Sequence, residues 1–231
     1  MIFFHIFVPT TSHNAMKYLS FFILLFIGEL SVSAQHMFSR QFPFFNQLSS
    51  NEIFSIHQDR EGYFWIGTTN GLARYDGYQL NTFRTDYKNQ NLLTDNGITA
   101  INDNDLYVWI GTWKGLNLYN KQTCRITPFS DARLLDKVVD AITVDKDGNV
   151  WVSAGGMIYR CDSTAHIIKE YEVGNIQEGY AISNIYVDQQ KQLWAVGSRG
   201  IFRYEPETDS FFRYPPLGNG HTAYIMHQDS S

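Results

Sequence analysis

Few residues in this chain are of a type and spacing able to do chemistry. An aspartate recurs at Asp59, Asp103, Asp145, Asp188 and Asp229, and two carboxylates held close together could serve as general acid and base. His57 and His227 each stand two residues before one of these aspartates, at equivalent places. Cys124 and Cys161 are the only cysteines; they lie 37 residues apart with no CxxC or Cys/His spacing, which argues against a metal site and leaves a disulfide open. Asn70, the Trp113-Lys114 pair and Arg199 have the chemistry of ligand contacts: an indole can stack on a sugar face, and Lys or Arg can hold a carboxylate or sulfate. No GxSxG, HExxH or P-loop pattern occurs. No catalytic residue, metal or cofactor is expected.

What must position these residues is a repeat. The stretch Gln58 to Asp76, QDREGYFWIGTTNGLARYD, recurs around Trp109, Trp151 and Trp194, so the anchoring tryptophans from Trp65 onward are spaced 44, 42 and 43 residues apart. Within one copy, apolar residues ending in Ile56 lead into the turn Asp59 to Gly62, whose Asp can accept backbone N–H groups. The alternating run Tyr63 to Ile66 follows, then a second turn ending at Gly71 and a third at Asp76-Gly77. Each period therefore holds four short antiparallel strands, the size of a propeller blade. The aspartates fall once per blade at one turn position, which is the pattern of a structural hairpin residue. Asp59, Asp145 and Asp188, the four tryptophans, and Gly71, Gly115 and Gly200 after the second strands are read as structural, with each Trp a second-strand residue wedged between blades. Blade two has a hairpin one residue shorter, since Ile101 to Trp109 is eight steps where Ile56 to Trp65 is nine. Arg74, Arg160 and Arg203, each nine residues after its tryptophan, are read as a structural ladder.

The fold class expected is all-β: an incomplete β-propeller of four-stranded antiparallel blades at about 53–84, 98–129, 138–171 and 181–214. A fifth blade starts at 223–231, because AYIMHQD at 223–229 matches IFSIHQD at 53–59. A four-blade ring needs no trailing inner strand, so the sequence reads as a piece of a larger ring, with an apolar face left open. Upstream, Lys17, the apolar run Tyr18 to Ile27 and the small residues to Ala34 have the form of a secretory signal peptide over 16–34, cleaved before Gln35. The run is about 10–13 residues, short of the roughly 20 that span a bilayer; an uncleaved anchor is the alternative. Residues 1–15 read as an over-extended gene start, and 35–52 as a leader and candidate ring-closing strand. The net charge of −5, with Lys and Arg scattered, gives no footprint for nucleic acid.

The order LSSNEIFSIHQDREGYFWIGTTNGLARYDG resembles the two-component regulator propeller repeat found in the periplasmic sensor half of hybrid two-component systems of Bacteroides-type bacteria. The W-I-G-T-x-x-G-L core stands twice intact, at Trp65 and Trp109. Blades three and four depart from it, with SAGGM after Trp151 and VGSRGI after Trp194. The resemblance implies a periplasmic, oligosaccharide-sensing segment of a longer protein. Its partners would be the remaining blades, a membrane helix, a kinase region and a second copy in a homodimer.

Three other readings stand beside it. One is a secreted propeller enzyme, either similar to streptogramin lyases or a glycosidase; DKDGNVW at 145–151 resembles a sialidase Asp-box turn, though the Asp adjoins the Gly and the other repeats lack it. The others are a scaffold and a gene remnant without function. In the sensor reading, ligand contacts fall on the rim that carries the second-to-third-strand turns and the blade links, where Asn70, Trp113, Lys114 and Arg199 lie. There the alternative role of Trp113 is to cover a neighbouring blade.

Overall fold

A computed structural model describes residues 44–85, 92–173, 182–198 and 200–214. The chain divides into two compact units, Met1–Phe42 and Pro43–Ser231, and every described residue lies in the second. Expectations for 1–43, for Arg199 and for the strand at 223–229 fall outside the described residues.

Among the described residues, sixteen strands form four sheets, each antiparallel and each in sequence order. Blade one holds β1 Ile53–Gln58, β2 Phe64–Thr68, β3 Gly71–Tyr75 and β4 Leu80–Phe83. Blade two holds β5 Ile98–Asp103, β6 Tyr107–Thr112, β7 Gly115–Asn120 and β8 Arg125–Pro128. Blade three holds β9 Val139–Val144, β10 Val150–Ala154, β11 Met157–Cys161 and β12 Ile167–Glu172. Blade four holds β13 Ile182–Val187, β14 Leu193–Gly197, β15 Gly200–Glu205 and β16 Ser210–Arg213. The architecture is thus the expected all-β succession of propeller blades. The helical pieces among the described residues are two 3-10 turns, Phe45–Gln47 and Ala132–Leu134. Of the expected leader strand, residues 44–52 contain the first of these turns and no strand.

The inner strands β1, β5, β9 and β13 neighbour one another in that order, so the blades pack in chain order. Each tryptophan sits in a second strand, with Trp65 opposite His57 and Arg74, Trp109 opposite Asn102 and Leu118, Trp151 opposite Thr143 and Arg160, and Trp194 opposite Tyr186 and Arg203. Three apolar cores lie at the three blade boundaries. At the first, Trp65 and Leu72 meet Ile98, Ile101, Val108 and Tyr119 of the next blade. Glycine in the W-I-G-T core is set by that packing: a Cβ on Gly67 would come within 2.6 Å of Ile98 Cγ2, and one on Gly111 within 2.7 Å of Val139 Cγ1. Blade three has Ser153 at this place, fully buried, and its hydroxyl donates to Ile182 O of blade four at 3.1 Å.

The ends of the row differ from its middle. Ile56 is 63% exposed, whereas Ile101, Ile142 and Ile185, its equivalents, are at most 7% exposed. Trp194 is half-buried, whereas the other three tryptophans are buried to within 1%. A second strand acquires its burial from the blade that follows it, and an inner strand from the blade that precedes it.

Candidate functional site

Antiparallel order gives every blade two ends. One carries the β1–β2 and β3–β4 type hairpins; the other carries the β2–β3 type turns and the links between blades.

At the second end, Thr68 and Thr112 shape their turns alike, each hydroxyl donating at 2.8 Å to the carbonyl of the glycine three residues on. Those glycines, Gly71 and Gly115, stand at φ +127° and +125°, a region that side chains resist. Asn70 is tied into the scaffold: its side-chain amide donates to Ser49 O at 3.3 Å and its carbonyl accepts from Arg84 Nε at 2.8 Å. Trp113 is 44% exposed, lies on Gly97, and meets Phe54 of blade one edge-on with ring centres 6.2 Å apart. Lys114 is exposed, its ammonium 3.8 Å from Asp95 Oδ2. The end therefore presents an aromatic pair, Phe54 and Trp113, flanked by a cation. Phe54 is absent from the sequence-based set. The signal was there, since Thr99, Asp140 and Ser183 hold its place in the other inner strands. Asp140 keeps part of its surface in solvent, yet the protein crowds it enough for desolvation to raise its carboxyl to about 6.

At the first end, the aspartates divide. Asp59 accepts from the N–H groups of Glu61 and Tyr63 through Oδ1 and from Trp65 Nε1 through Oδ2 at 2.6 Å. Asp145 and Asp188 hold their own tryptophans at 2.8 and 2.9 Å. Asp103, expected in the same role, does something else. Because its hairpin is one residue shorter, Asn104 occupies the turn and accepts from Leu106 and Tyr107 N–H, while its amide donates to Ser163 O at 3.1 Å. Trp109 Nε1 is left buried without an acceptor. Asp103 is shifted back onto β5 and faces blade one, where His57 Nε2 lies 2.7 Å from Oδ1, and Lys121 Nζ donates to Oδ2 at 2.7 Å. Burial would raise this carboxyl, but the His57 and Lys121 bonds outweigh it and hold Asp103 at about 2. His57 is thus a boundary group as well as a strand residue.

An imidazole on a carboxylate has the parts of a general base. Here the carboxylate is 4% exposed and shared with an ammonium that is 6% exposed, and the group bridges two blades. It is built as an inter-blade clasp.

The arginine ladder also divides. Arg74 lies over the rings of Tyr63, Trp65 and Tyr119 and bonds Tyr119 Oη; Arg160 lies over Trp151 and donates to Tyr204 Oη at 3.1 Å. These two fill the boundaries between blades one and two and between three and four. At the latter, Asp209 gathers Lys169, Tyr171 and Tyr204 at 2.6 Å each, with Arg160 at 3.3 Å. Desolvation opposes the charge on Asp209, but those donors keep its carboxyl well below the usual range. Cys124 is exposed and Cys161 buried, both as free thiols, so the open disulfide is not formed; burial pushes the Cys161 thiol up to about 12. Among the described residues no group of three His, Cys, Asp or Glu could hold a metal, and no helix is long and apolar enough to cross a membrane.

Residues 47–70 match the family model described as Two component regulator propeller, so blade one carries that family's repeat. The extracellular domain of a one component system from B. thetaiotaomicron is similar at 22% identity and TM-score 0.57, over 70% of this chain and 22% of that one. The extracellular domain of a hybrid two component system from the same organism is similar at 21% and 0.52, over 75% and 31%. Virginiamycin B lyase from Staphylococcus aureus is similar at 18% and 0.59, over 73% and 57%. The chain thus spans from about a fifth to somewhat over half of these structures, and at such identities the likeness is one of fold. No curated protein matches the chain.

Proposed function

We propose that this chain, whose first blade carries the two component regulator propeller repeat, is an extracytoplasmic ligand-sensing segment of a two-component signalling protein. The observation that carries the reading is the match at 47–70 to a family of signalling propellers. Two of the similar structures are extracellular domains of signalling proteins, which supports a place outside the cytoplasm. The ligand class is oligosaccharide, read from the exposed Trp113, its edge-on neighbour Phe54 and the cation of Lys114. Apolar ring faces stack on aromatic side chains, and ammonium groups take hydroxyl or acidic oxygens. The segment does no chemistry of its own on the saccharide. It signals by binding, together with kinase and further propeller regions and as a dimer.

The test is calorimetric titration of the chain with a panel of neutral and acidic oligosaccharides, repeated with Trp113→Ala and Lys114→Ala. One saccharide of the panel binds saturably, and W113A weakens it at least tenfold. Full affinity in both variants would remove this rim from consideration.

A propeller lyase or glycosidase is the second reading, supported by the fold likeness to virginiamycin B lyase. It is the weaker one, because the sole imidazole–carboxylate pair among the described residues with a buried carboxylate is the clasp at Asp103.

A further inference from the structure

The boundary between blades two and three lacks the plug found at the other two. At the place of Arg74 and Arg160 stands Leu118, and at the place of Tyr119 and Tyr204, on the following blade, stands Cys161. Both replacements are shorter than what they replace. Beside this boundary the face of blade two carries a cleft of about 560 Å³, lined by Tyr107, Leu118, Asn120, Thr123, Arg125 and Thr127, all of blade two. Two cross-strand rows build it: Tyr107, Asn120 and Arg125, and beside them Leu118 and Thr127. Trp109, opposite Leu118 and edge-on to Tyr107 at 6.5 Å, is the tryptophan whose buried indole N–H has no acceptor. Arg125 is exposed and has no carboxylate in ion-pair range among the described residues.

We infer that this cleft is a second ligand site, separate from the rim, and that its ligand is an acidic saccharide. The volume lies in the range of small-molecule sites, roughly 300–1,000 Å³. Its lining gives each part of such a ligand a counterpart. The half-buried Tyr107 ring receives an apolar sugar face over the floor made by Leu118; Asn120, Thr123 and Thr127 exchange hydrogen bonds with hydroxyls, and the Arg125 guanidinium holds the carboxylate through a charge-assisted, two-pronged bond. A neutral saccharide leaves Arg125 unused. The other two boundaries cannot take such a ligand, because Arg74 and Arg160 already stack on the tryptophans there.

Calorimetric titration of the full chain with trigalacturonate, with maltotriose as the neutral counterpart, tests the assignment. Trigalacturonate binds saturably and maltotriose at least tenfold more weakly. Arg125→Gln lowers trigalacturonate affinity about tenfold, while Arg60→Gln, at another exposed arginine, leaves it unchanged. Leu118→Arg, which restores the guanidinium of the neighbouring boundaries, abolishes binding. If L118R fails to fold by circular dichroism, R125Q decides alone, because an exposed side chain is dispensable for folding. No binding of trigalacturonate, equal binding of maltotriose, or trigalacturonate affinity unchanged in R125Q overturns the inference. None of these results bears on Trp113 or the rim.

Discussion

The first hairpins of blades one and two differ by a single residue, and that residue moves an aspartate from one job to another. In blade one, Asp59 closes the turn and caps the indole of Trp65 at 2.6 Å. In blade two the shorter loop gives the turn to Asn104, frees Asp103 to clasp His57 and Lys121, and leaves Trp109 Nε1 without an acceptor. The sequence offset from tryptophan to aspartate is six in both cases, so equal spacing does not mean equal role. What fixes the role is the hydrogen-bond register of the hairpin: Asp59 N bonds Tyr63 O, and Asn104 N bonds Tyr107 O. The comparison also explains why the clasp joins two blades. A turn residue bonds within its own hairpin, whereas a residue one step earlier lies on the strand and faces the preceding blade.

The largest effect that could break this comparison is at Asp103. Asp103→Ala leaves the Lys121 ammonium, 6% exposed, without its counter-charge. Such unpaired burial costs about 3–5 kcal/mol, seen as a fall in the urea midpoint. Asp145→Ala removes the Trp151 indole acceptor and turn bonds at a part-exposed site and costs about 1–3 kcal/mol. Equal losses in the two variants would mean that Asp103 is only another hairpin residue.

A second check is acid titration. The folded pKa of Asp103, about 2, lies below the unfolded value near 3.8, so the clasp stabilises the fold fully above that value and loses its contribution as pH falls from about 4 to about 2. The contribution is on the order of 2 kcal/mol by linkage, at about 1.4 kcal/mol per unit. Chain carrying Asp103→Asn should show a shallower loss of stability over that window than the unmodified chain. Identical acid profiles would separate the depressed carboxyl from the clasp.

A smaller effect is expected of Asn104→Asp. The turn is kept, because a carboxylate accepts from Leu106 and Tyr107 N–H as well as an amide does, but the bond to Ser163 O is lost. The net cost is about 1 kcal/mol. The smallest effect is chemical and leaves stability unchanged: brief alkylation of the folded chain should add one label, at exposed Cys124, and none at buried Cys161. Two labels would mean that the boundary between blades two and three opens readily.

Much of the architecture was legible because it is written four times. The W-I-G-T cores, the turn glycines and the alternating second strands give the blades, and the buried fate of Trp65, Trp109 and Trp151 follows from their apolar neighbours. Even the short hairpin of blade two is visible as a missing step between Ile101 and Trp109. Its consequence was not visible, because the new company of Asp103 comes from His57 in another blade and Lys121 in another hairpin. The candidate rim was legible only by residue type. Trp113 and Lys114 stand out against the repeat, but the contact with Phe54 joins residues 59 positions apart and depends on how two blades meet. The cleft at Leu118 was hidden too: a leucine in place of an arginine shows in the sequence, but its place beside Tyr107, Asn120 and Arg125 depends on the register of β6, β7 and β8.

The central claim, that the chain recognises a saccharide without transforming it, is tested most directly by incubating it with the oligosaccharide panel while following heat of binding and, by mass spectrometry, the mass of each saccharide. The account predicts saturable binding of at least one oligosaccharide whose mass stays unchanged over hours. Cleavage or elimination products, or an absence of binding across the whole panel, would contradict it.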